Sequence, residues 1–126
     1  MLNESTKQQV RNRAGHRCEY CQLSQQDSPL ARLQIEHVIP IKHGGGDELD
    51  NLALACIDCN LHKGPNLTGI DPDTGQTTEL FHPRHNRWDD HFRWDGITIV
   101  GTTAIGRTTA RVLNMNSDDQ LTLRSS

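Results

Sequence analysis

The chain has 126 residues, a formal net charge of −3 and only 33% hydrophobic residues. This length suits one domain, or a small core with an extension, and a core built on apolar burial alone would be thin. No apolar run is long enough for a transmembrane helix, and the first ten residues, MLNESTKQQV, lack the apolar centre of a signal peptide. We therefore expect a cytoplasmic protein that does not contact membranes. The negative charge argues mildly against tight, sequence-independent binding of nucleic acid, because such affinity comes from Lys and Arg side chains.

The first predicted element is a helix over residues 5–14. Ser5 and Gln8 form a capping-box pattern at its start, and Gly15 is suited to the position just after its end. The basic side chains of this helix either face phosphate or are simply solvated, and the sequence leaves both interpretations open. These side chains are Lys7, Arg11 and Arg13.

The four cysteines form two Cys-x-x-Cys pairs, which suit a metal better than disulfides. Two cysteines at this spacing bind one tetrahedral ion from a single backbone bend, and the second pair completes four ligands. The alternatives are four unrelated cysteines or a redox motif, but two matched pairs favour structural zinc. The pairs are Cys18 with Cys21 and Cys56 with Cys59.

A half-buried strand is predicted between the two cysteine pairs. Residues 32–38 alternate apolar with polar side chains, which is the period of a strand with one buried face. Regular geometry would place Ile35 and His37 on one face of this strand and Glu36 on the other.

A loop, a second strand and a short helix are predicted to follow. Pro40 and the three glycines at 44–46 end the first strand and form the loop. The returning strand is expected over residues 51–55. The helix is expected over residues 57–63, where it starts in the second cysteine pair and is closed by Gly-Pro.

Several short motifs now stand in a fixed order along the chain. They are Glu36-His37-Val38-Ile39-Pro40, Gly44-Gly45, Asn51-Leu52 and Cys56-x-x-Cys59-Asn60-x-x-Lys63-Gly64. Together they resemble the HNH endonuclease family in its four-cysteine zinc form, with close agreement over residues 13–64. The resemblance implies an α+β protein with a small ββα-metal core braced by the zinc site. Residues 1–64 would then hold the N-terminal helix, the zinc knuckles and this core.

The resemblance also implies the catalytic roles. His37 suits a general base, because an imidazole with a pKa of about 6.5 is mostly uncharged near pH 7. Glu36 and Asn60 would hold one divalent cation, and their oxygen atoms suit Mg²⁺ or Mn²⁺. An amide is a weaker ligand than imidazole, which favours loosely held Mg²⁺ over a tightly bound transition metal.

Three further residues support this expected site. The resemblance gives Asn51 a structural role, in which its side chain bonds across the loop and holds the His37 segment. Lys63 and Arg17 are the candidates for contacting the scissile phosphate, although Lys63 could instead cap the end of its helix.

Residues 65–126 are expected to form a loop-rich extension that packs on the core. A turn is predicted at residues 73–75, and a hairpin over 91–101 around Asp95-Gly96. A helix over 104–113 would follow a Thr102 or Thr103 cap. The aromatic side chains of this half favour core packing over base stacking. They are Phe81, Trp88, Phe92 and Trp94.

The sequence therefore predicts a metal-dependent endonuclease that hydrolyses phosphodiester bonds in DNA, with structural Zn²⁺ and catalytic Mg²⁺ or Mn²⁺. The alternative is a zinc-stabilised module that binds nucleic acid or protein without cutting it. Such a module has no need for Glu36, His37 and Asn60 together, and their coincidence favours the nuclease. A redox protein is the weakest alternative, because it does not explain the glycine and Asn-Leu motifs. The sequence leaves the oligomeric state, the substrate sequence and the number of strands cut open.

Overall fold

The computed structural model describes residues 2–125, so the terminal residues 1 and 126 of the two predicted regions lie outside it. The described residues form five α-helices and six strands, which pair as three two-stranded antiparallel sheets. The helices are α1 (Glu4–Arg13), α2 (Ile57–Lys63), α3 (Trp88–His91), α4 (Ala104–Val112) and α5 (Asp118–Ser125). The strands are β1 (Gln34–His37), β2 (Leu52–Ala55), β3 (Thr68–Ile70), β4 (Thr77–Glu79), β5 (Phe92–Asp95) and β6 (Thr98–Gly101). This mixture confirms the predicted α+β class.

Helix α1 is capped by a residue that the sequence pattern did not single out. The Asn3 side chain accepts a hydrogen bond from the backbone N–H of Thr6 at 2.8 Å. The predicted capping role of Ser5 is therefore wrong, and the helix begins one residue earlier than expected. Gly15 follows the end of the helix with a φ of 63°, a left-handed conformation that favours glycine.

The basic side chains of α1 bind the protein's own backbone. Arg11 donates to the carbonyl of Leu33 and Arg13 to the carbonyl of Leu52, each at 2.7 Å. Lys7 lies near Glu4 at 3.5 Å on the exposed face of the helix. Arg11 and Arg13 thus dock the helix against the central strands, which answers the question that the sequence left open for these two residues.

Strands β1 and β2 and helix α2 follow one another in the predicted order. β1 pairs with β2 so that Glu36 lies opposite Ala53 and His37 opposite Leu52. All four residues of β2 are buried. Helix α2 occupies the predicted residues 57–63, and the Cys56 side chain caps it by accepting the backbone N–H of Cys59 at 3.4 Å. The helix that follows the hairpin therefore starts inside the cysteine cluster.

The loop between β1 and β2 requires two of its glycines. Gly44 has a φ of 89°, which side chains rarely tolerate. A Cβ atom on Gly45 would lie 1.7 Å from the backbone oxygen of Ile39, so no side chain fits at that position. The glycine run thus allows the loop to fold back against the segment that follows His37.

In the loop-rich extension, a short hairpin that was not predicted surrounds the predicted turn at residues 73–75. Three-residue strands β3 and β4 pair with Gly69 opposite Thr78. Strands this short carry too little alternation to be recognised, and they form because they pack against α4. The turn between them is held by Asp71, whose carboxylate accepts the backbone N–H of Asp73 at 3.0 Å.

The later elements of the extension agree better with the sequence. The hairpin of β5 and β6 turns at Gly96, whose φ is 62°, and Asp95 lies opposite Thr98. Thr103 caps α4 by accepting the backbone N–H of Gly106 at 3.1 Å. Helices α3 and α5 were not predicted.

Both halves of the chain contribute to one hydrophobic core. Phe81 and Phe92 are buried, and the Phe81 ring packs edge-on to Tyr20 with centroids 6.4 Å apart. The indole N–H of Trp88 donates to the backbone carbonyl of Tyr20 at 2.7 Å. Core packing is confirmed for the two phenylalanines, whereas Trp94 is 45% exposed. Among residues 2–125, no helix has the length and apolar character needed to cross a bilayer.

Candidate active site and metal centre

The four cysteines come together as one buried cluster. Their sulfur atoms all lie within 4.8 Å of one another, and Sγ of Cys21 is 3.6 Å from Sγ of Cys56. Four thiolates around a zinc ion, at about 2.3 Å each, would lie about 3.8 Å apart. Burial raises the pKa of the Cys18 thiol well above its ordinary range, so four ionised thiolates here need a compensating cation. The donor set and its spacing fit a structural Zn²⁺.

Hydrogen bonds to sulfur surround this cluster. The backbone N–H of Cys21 points to Sγ of Cys18 at 3.4 Å, which is the same arrangement that Cys59 makes with Cys56. The side-chain amide of Gln120, on helix α5, donates to Sγ of Cys56 at 3.4 Å. Gln120 is buried, so the far end of the chain closes over the cluster.

The buried side chain of strand β1 is its carboxylate. Glu36 is only 6% exposed, whereas Ile35 and His37 are half-buried. The most buried side chain of this strand is thus the charged Glu36 and not the apolar Ile35. Partners for the charge make this orientation possible, because a buried carboxylate is tolerated only when it is paired and hydrogen-bonded.

Those partners are Tyr20 and Lys63. The Tyr20 hydroxyl donates to Oε1 of Glu36, and the Lys63 ammonium lies 3.2 Å from Oε2. Lys63 also donates to the backbone carbonyl of Val38 at 2.8 Å and is itself buried. Burial raises the pKa of Glu36, while the neighbouring ammonium opposes that shift. The structure thus places Lys63 under the site, as a partner of Glu36, and not on a surface that phosphate reaches.

His37 is paired with an acid that the sequence analysis missed. Its Nε2 atom lies 2.7 Å from Oδ1 of Asp47, in the loop that follows the glycines. This hydrogen bond lowers the pKa of Asp47. Because an ionised carboxylate can only accept, Nε2 carries the proton and Nδ1 is left as the acceptor of the neutral ring. Only the acid-rich composition of residues 47–50 hinted at such a partner.

An open groove brings three of the expected site residues together. Glu36, His37 and Asn60 line it, and its volume is about 280 Å³. The other lining residues are Ile35, Pro40, Ile41 and Gly64. The amide nitrogen of Asn60 donates to Oε1 of Gln34 at 2.6 Å, which leaves its oxygen as an acceptor. Carboxylate and amide oxygens are donors that suit a hard divalent cation such as Mg²⁺ or Mn²⁺.

Asn51 connects the two sides of the loop beside this groove. Its Oδ1 accepts the backbone N–H of Ile39 at 2.9 Å. Its Nδ2 donates to the carbonyls of Ile39 at 3.0 Å and Gly46 at 2.9 Å. The side chain is buried, and these three hydrogen bonds fix the backbone immediately after His37.

Arg17 lies outside the groove. Its guanidinium donates to the backbone carbonyl of Gln22 at 3.0 Å and is exposed on the surface of the turn that carries Cys18 and Cys21. The structure therefore does not bring Arg17 together with His37, Glu36 and Asn60.

Comparison with known proteins finds a likeness over the same segment. Residues 18–66 match the family model described as HNH endonuclease. Comparisons with curated proteins and with solved structures each gave no match. The matched segment contains all four cysteines and every residue of the groove, and such domains act on nucleic acid. The likeness to the HNH endonuclease family therefore lies in residues 18–66.

Proposed function

We propose that this protein is a metal-dependent endonuclease that hydrolyses phosphodiester bonds in DNA. One observation carries the proposal: His37, oriented by Asp47, shares an open groove with the oxygen donors Glu36 and Asn60. The groove is open enough to admit a phosphate of an extended strand. Hydrolysis needs a base, a charge-stabilising group and access, and this groove offers candidates for each.

The proton would be taken by His37. With Nε2 held by Asp47, Nδ1 is the nitrogen that can accept a proton from the attacking water. The Asp47 carboxylate, which is exposed, would orient the ring and stabilise the imidazolium that forms, as the acid of a catalytic triad does. Asn51 holds the backbone next to this base through the loop.

Glu36 and Asn60 would hold the divalent cation, which neutralises charge on the phosphate and on the leaving oxygen when it is bound. Both oxygens of Glu36 are engaged in this structure, one by Tyr20 and one by Lys63. Each carboxylate oxygen has two lone pairs, so a cation at Glu36 would share an oxygen with Tyr20 or Lys63. A cation would also help an acidic protein to approach phosphates.

The same pairing favours a second candidate function, a non-catalytic nucleic-acid-binding module. In that case Glu36 would serve only to anchor Tyr20 and Lys63, with which it forms a hydrogen bond and an ion pair. The two functions differ in what they require of His37, because a module without catalysis does not need a base in the groove.

The test is nicking of supercoiled plasmid with Mg²⁺, Mn²⁺ or EDTA, comparing the wild type with His37→Ala. We expect metal-dependent nicking that falls about 100-fold or more in the variant, with zinc content and circular dichroism unchanged. His16→Asn is the control, because His16 is exposed and does not line the groove. Its left-handed φ of 58° is tolerated by asparagine.

Two outcomes would contradict the nuclease. Nicking by His37→Ala at the wild-type rate would show that His37 is not the general base. Absence of cleavage by zinc-loaded wild type on plasmid, single-stranded DNA and RNA would favour the binding module.

A further inference from the structure

A second and larger cleft lies back to back with the catalytic groove. Its volume is about 410 Å³, and Val38 and Ile39 line it, whereas His37 and Pro40 line the groove. One short backbone segment therefore separates the two cavities. The far wall of the second cleft comes from the extension, including His82 and other residues of the turn after β4. We call it the histidine cleft.

Two stacked imidazole rings form one wall of the histidine cleft. The rings of His82 and His85 are nearly parallel, at 10°, with centroids 3.8 Å apart. The backbone N–H groups of His85 and Asn86 both donate to the carbonyl of His82, at 3.1 and 2.8 Å, which fixes the turn that carries the rings. Arg84 pairs with Glu19 and ties the same turn to the zinc knuckle.

The His82 side of this wall offers a directed donor. Burial lowers the pKa of His82, so the ring is uncharged at neutral pH. Its Nδ1 accepts the backbone N–H of Arg84 at 3.1 Å, which leaves the proton on Nε2. Asn86 uses its Oδ1 to accept the backbone N–H of His82, which leaves its amide nitrogen as a second donor. Asn66 and Glu79 add an amide and a carboxylate at the exposed rim.

The charges of the cleft disfavour an anion. Among the described residues that line it, Lys63 is the only lysine or arginine, and its ammonium is engaged by Glu36 and the Val38 carbonyl. Glu79 would repel a phosphate at the rim. A flat, neutral group with polar edges fits better, because aromatic side chains stack on it while amides and carboxylates bind its edge.

We propose that the histidine cleft binds one unpaired nucleobase of the strand whose phosphate lies in the catalytic groove. This inference rests on the proposed function and adds to it a substrate class: DNA with an unstacked nucleotide next to the scissile bond. A base inside a duplex cannot reach a cleft of this kind unless it leaves the stack. Nucleobases stack on aromatic side chains irrespective of sequence, so the cleft would select unpaired structure and not a particular base.

The test uses a single-stranded DNA of about a dozen nucleotides, a length within the range that one small domain covers. One 2-aminopurine replaces a base and is moved along the strand from position to position. Binding is measured with Mg²⁺ in the His37→Ala background, so that the strand is not consumed. We expect the 2-aminopurine fluorescence to be quenched at one position, and His85→Ala to abolish that quenching and weaken binding about tenfold.

Two further variants separate stacking from folding. His85 is exposed, so His85→Phe should keep the platform and the quenching, whereas His16→Asn, outside the cleft, should leave both unchanged. A bulged 2-aminopurine in a duplex should be quenched, whereas the same base paired with thymine should not.

Three results would overturn the inference: no quenching at any position, equal quenching in His85→Ala, or no binding of the strand. Its failure is distinct from failure of the nuclease. Plasmid nicking without position-specific quenching would contradict base binding in the histidine cleft but support the nuclease. Quenching that depends on His85 without any nicking would support base binding but contradict the nuclease.

Discussion

Residues 18–66 and residues 67–125 are stabilised by different kinds of interaction. The first region buries polar groups that need specific partners: four thiols, the Glu36 carboxylate and the Asn51 amide. The second region packs its hairpins against α4 and buries side chains such as Ile99 and Leu113. Its main buried charge is Asp71, which pairs with Arg107 at 2.8 Å.

This difference between the two regions shows how a small chain with few hydrophobic residues supports an open groove. Residues 18–66 add a cysteine cluster and buried hydrogen bonds to their apolar side chains, and the extension completes the shared core with side chains such as Phe81 and Phe92. Besides this shared core, polar contacts join the two regions near the cysteine cluster. These are Arg84 with Glu19, Trp88 with Tyr20, and Gln120 with Cys56.

The largest expected effect is loss of the zinc ligands. Cys56→Ser should release zinc and unfold residues 18–66, because structural zinc in small domains contributes about 10 kcal/mol or more of folding free energy. Mass spectrometry measures the zinc content and circular dichroism measures the loss of folded structure. Strong chelators should have the same effect on the wild type. A folded, fully zinc-loaded Cys56→Ser protein would contradict the metal centre.

The next effect concerns the buried ion pair. Lys63→Met should lower the free energy of unfolding by about 3–5 kcal/mol, because it leaves the Glu36 charge buried without its cation. Glu36→Gln in the same chain should restore part of the loss by removing that charge. Urea denaturation of the wild type, the single variant and the double variant measures the free energy of unfolding. A Lys63→Met protein as stable as the wild type would show that the ion pair does not stabilise the fold.

A smaller effect is expected in the loop beside His37. Asn51→Ala should cost about 2–3 kcal/mol, because it leaves the backbone groups of Ile39 without partners in a buried position. Zinc content should stay unchanged, which separates the loop from the cysteine cluster. Asn12→Ala on the exposed face of α1 is the control and should cost less than about 0.5 kcal/mol. Equal losses in the two variants would argue against the bridging role.

The smallest effect lies in the extension and depends on pH. The Arg107 guanidinium holds the pKa of Asp71 below its ordinary value of 3.8. The stability from this pair is therefore present above pH 3.8 and is lost as the pH falls through the lower pKa of the folded state. Asp71→Asn should lower the melting temperature at neutral pH, and the gap to the wild type should narrow below pH 3.8. A gap that stays constant with pH would exclude this pair as its cause.

Several features of the fold were accessible from local sequence patterns. The cysteine spacing gave the ligand set, and Gly64 with the Cys56 cap bounded helix α2 correctly. Gly96 marked the turn of the second hairpin. Each of these depends on residues a few positions apart, so spacing and turn chemistry are sufficient to predict it.

Other features were decided by contacts between distant parts of the chain. Which side of β1 is buried depends on Tyr20 and Lys63, and the partner of His37 is an acid ten residues away, at position 47. Strands β3 and β4 form against α4, and the first turn of α5 contacts the cysteine cluster through Gln120. A strand pattern records which residues alternate, but the free energy of burying a charge depends on the groups that the tertiary fold brings beside it.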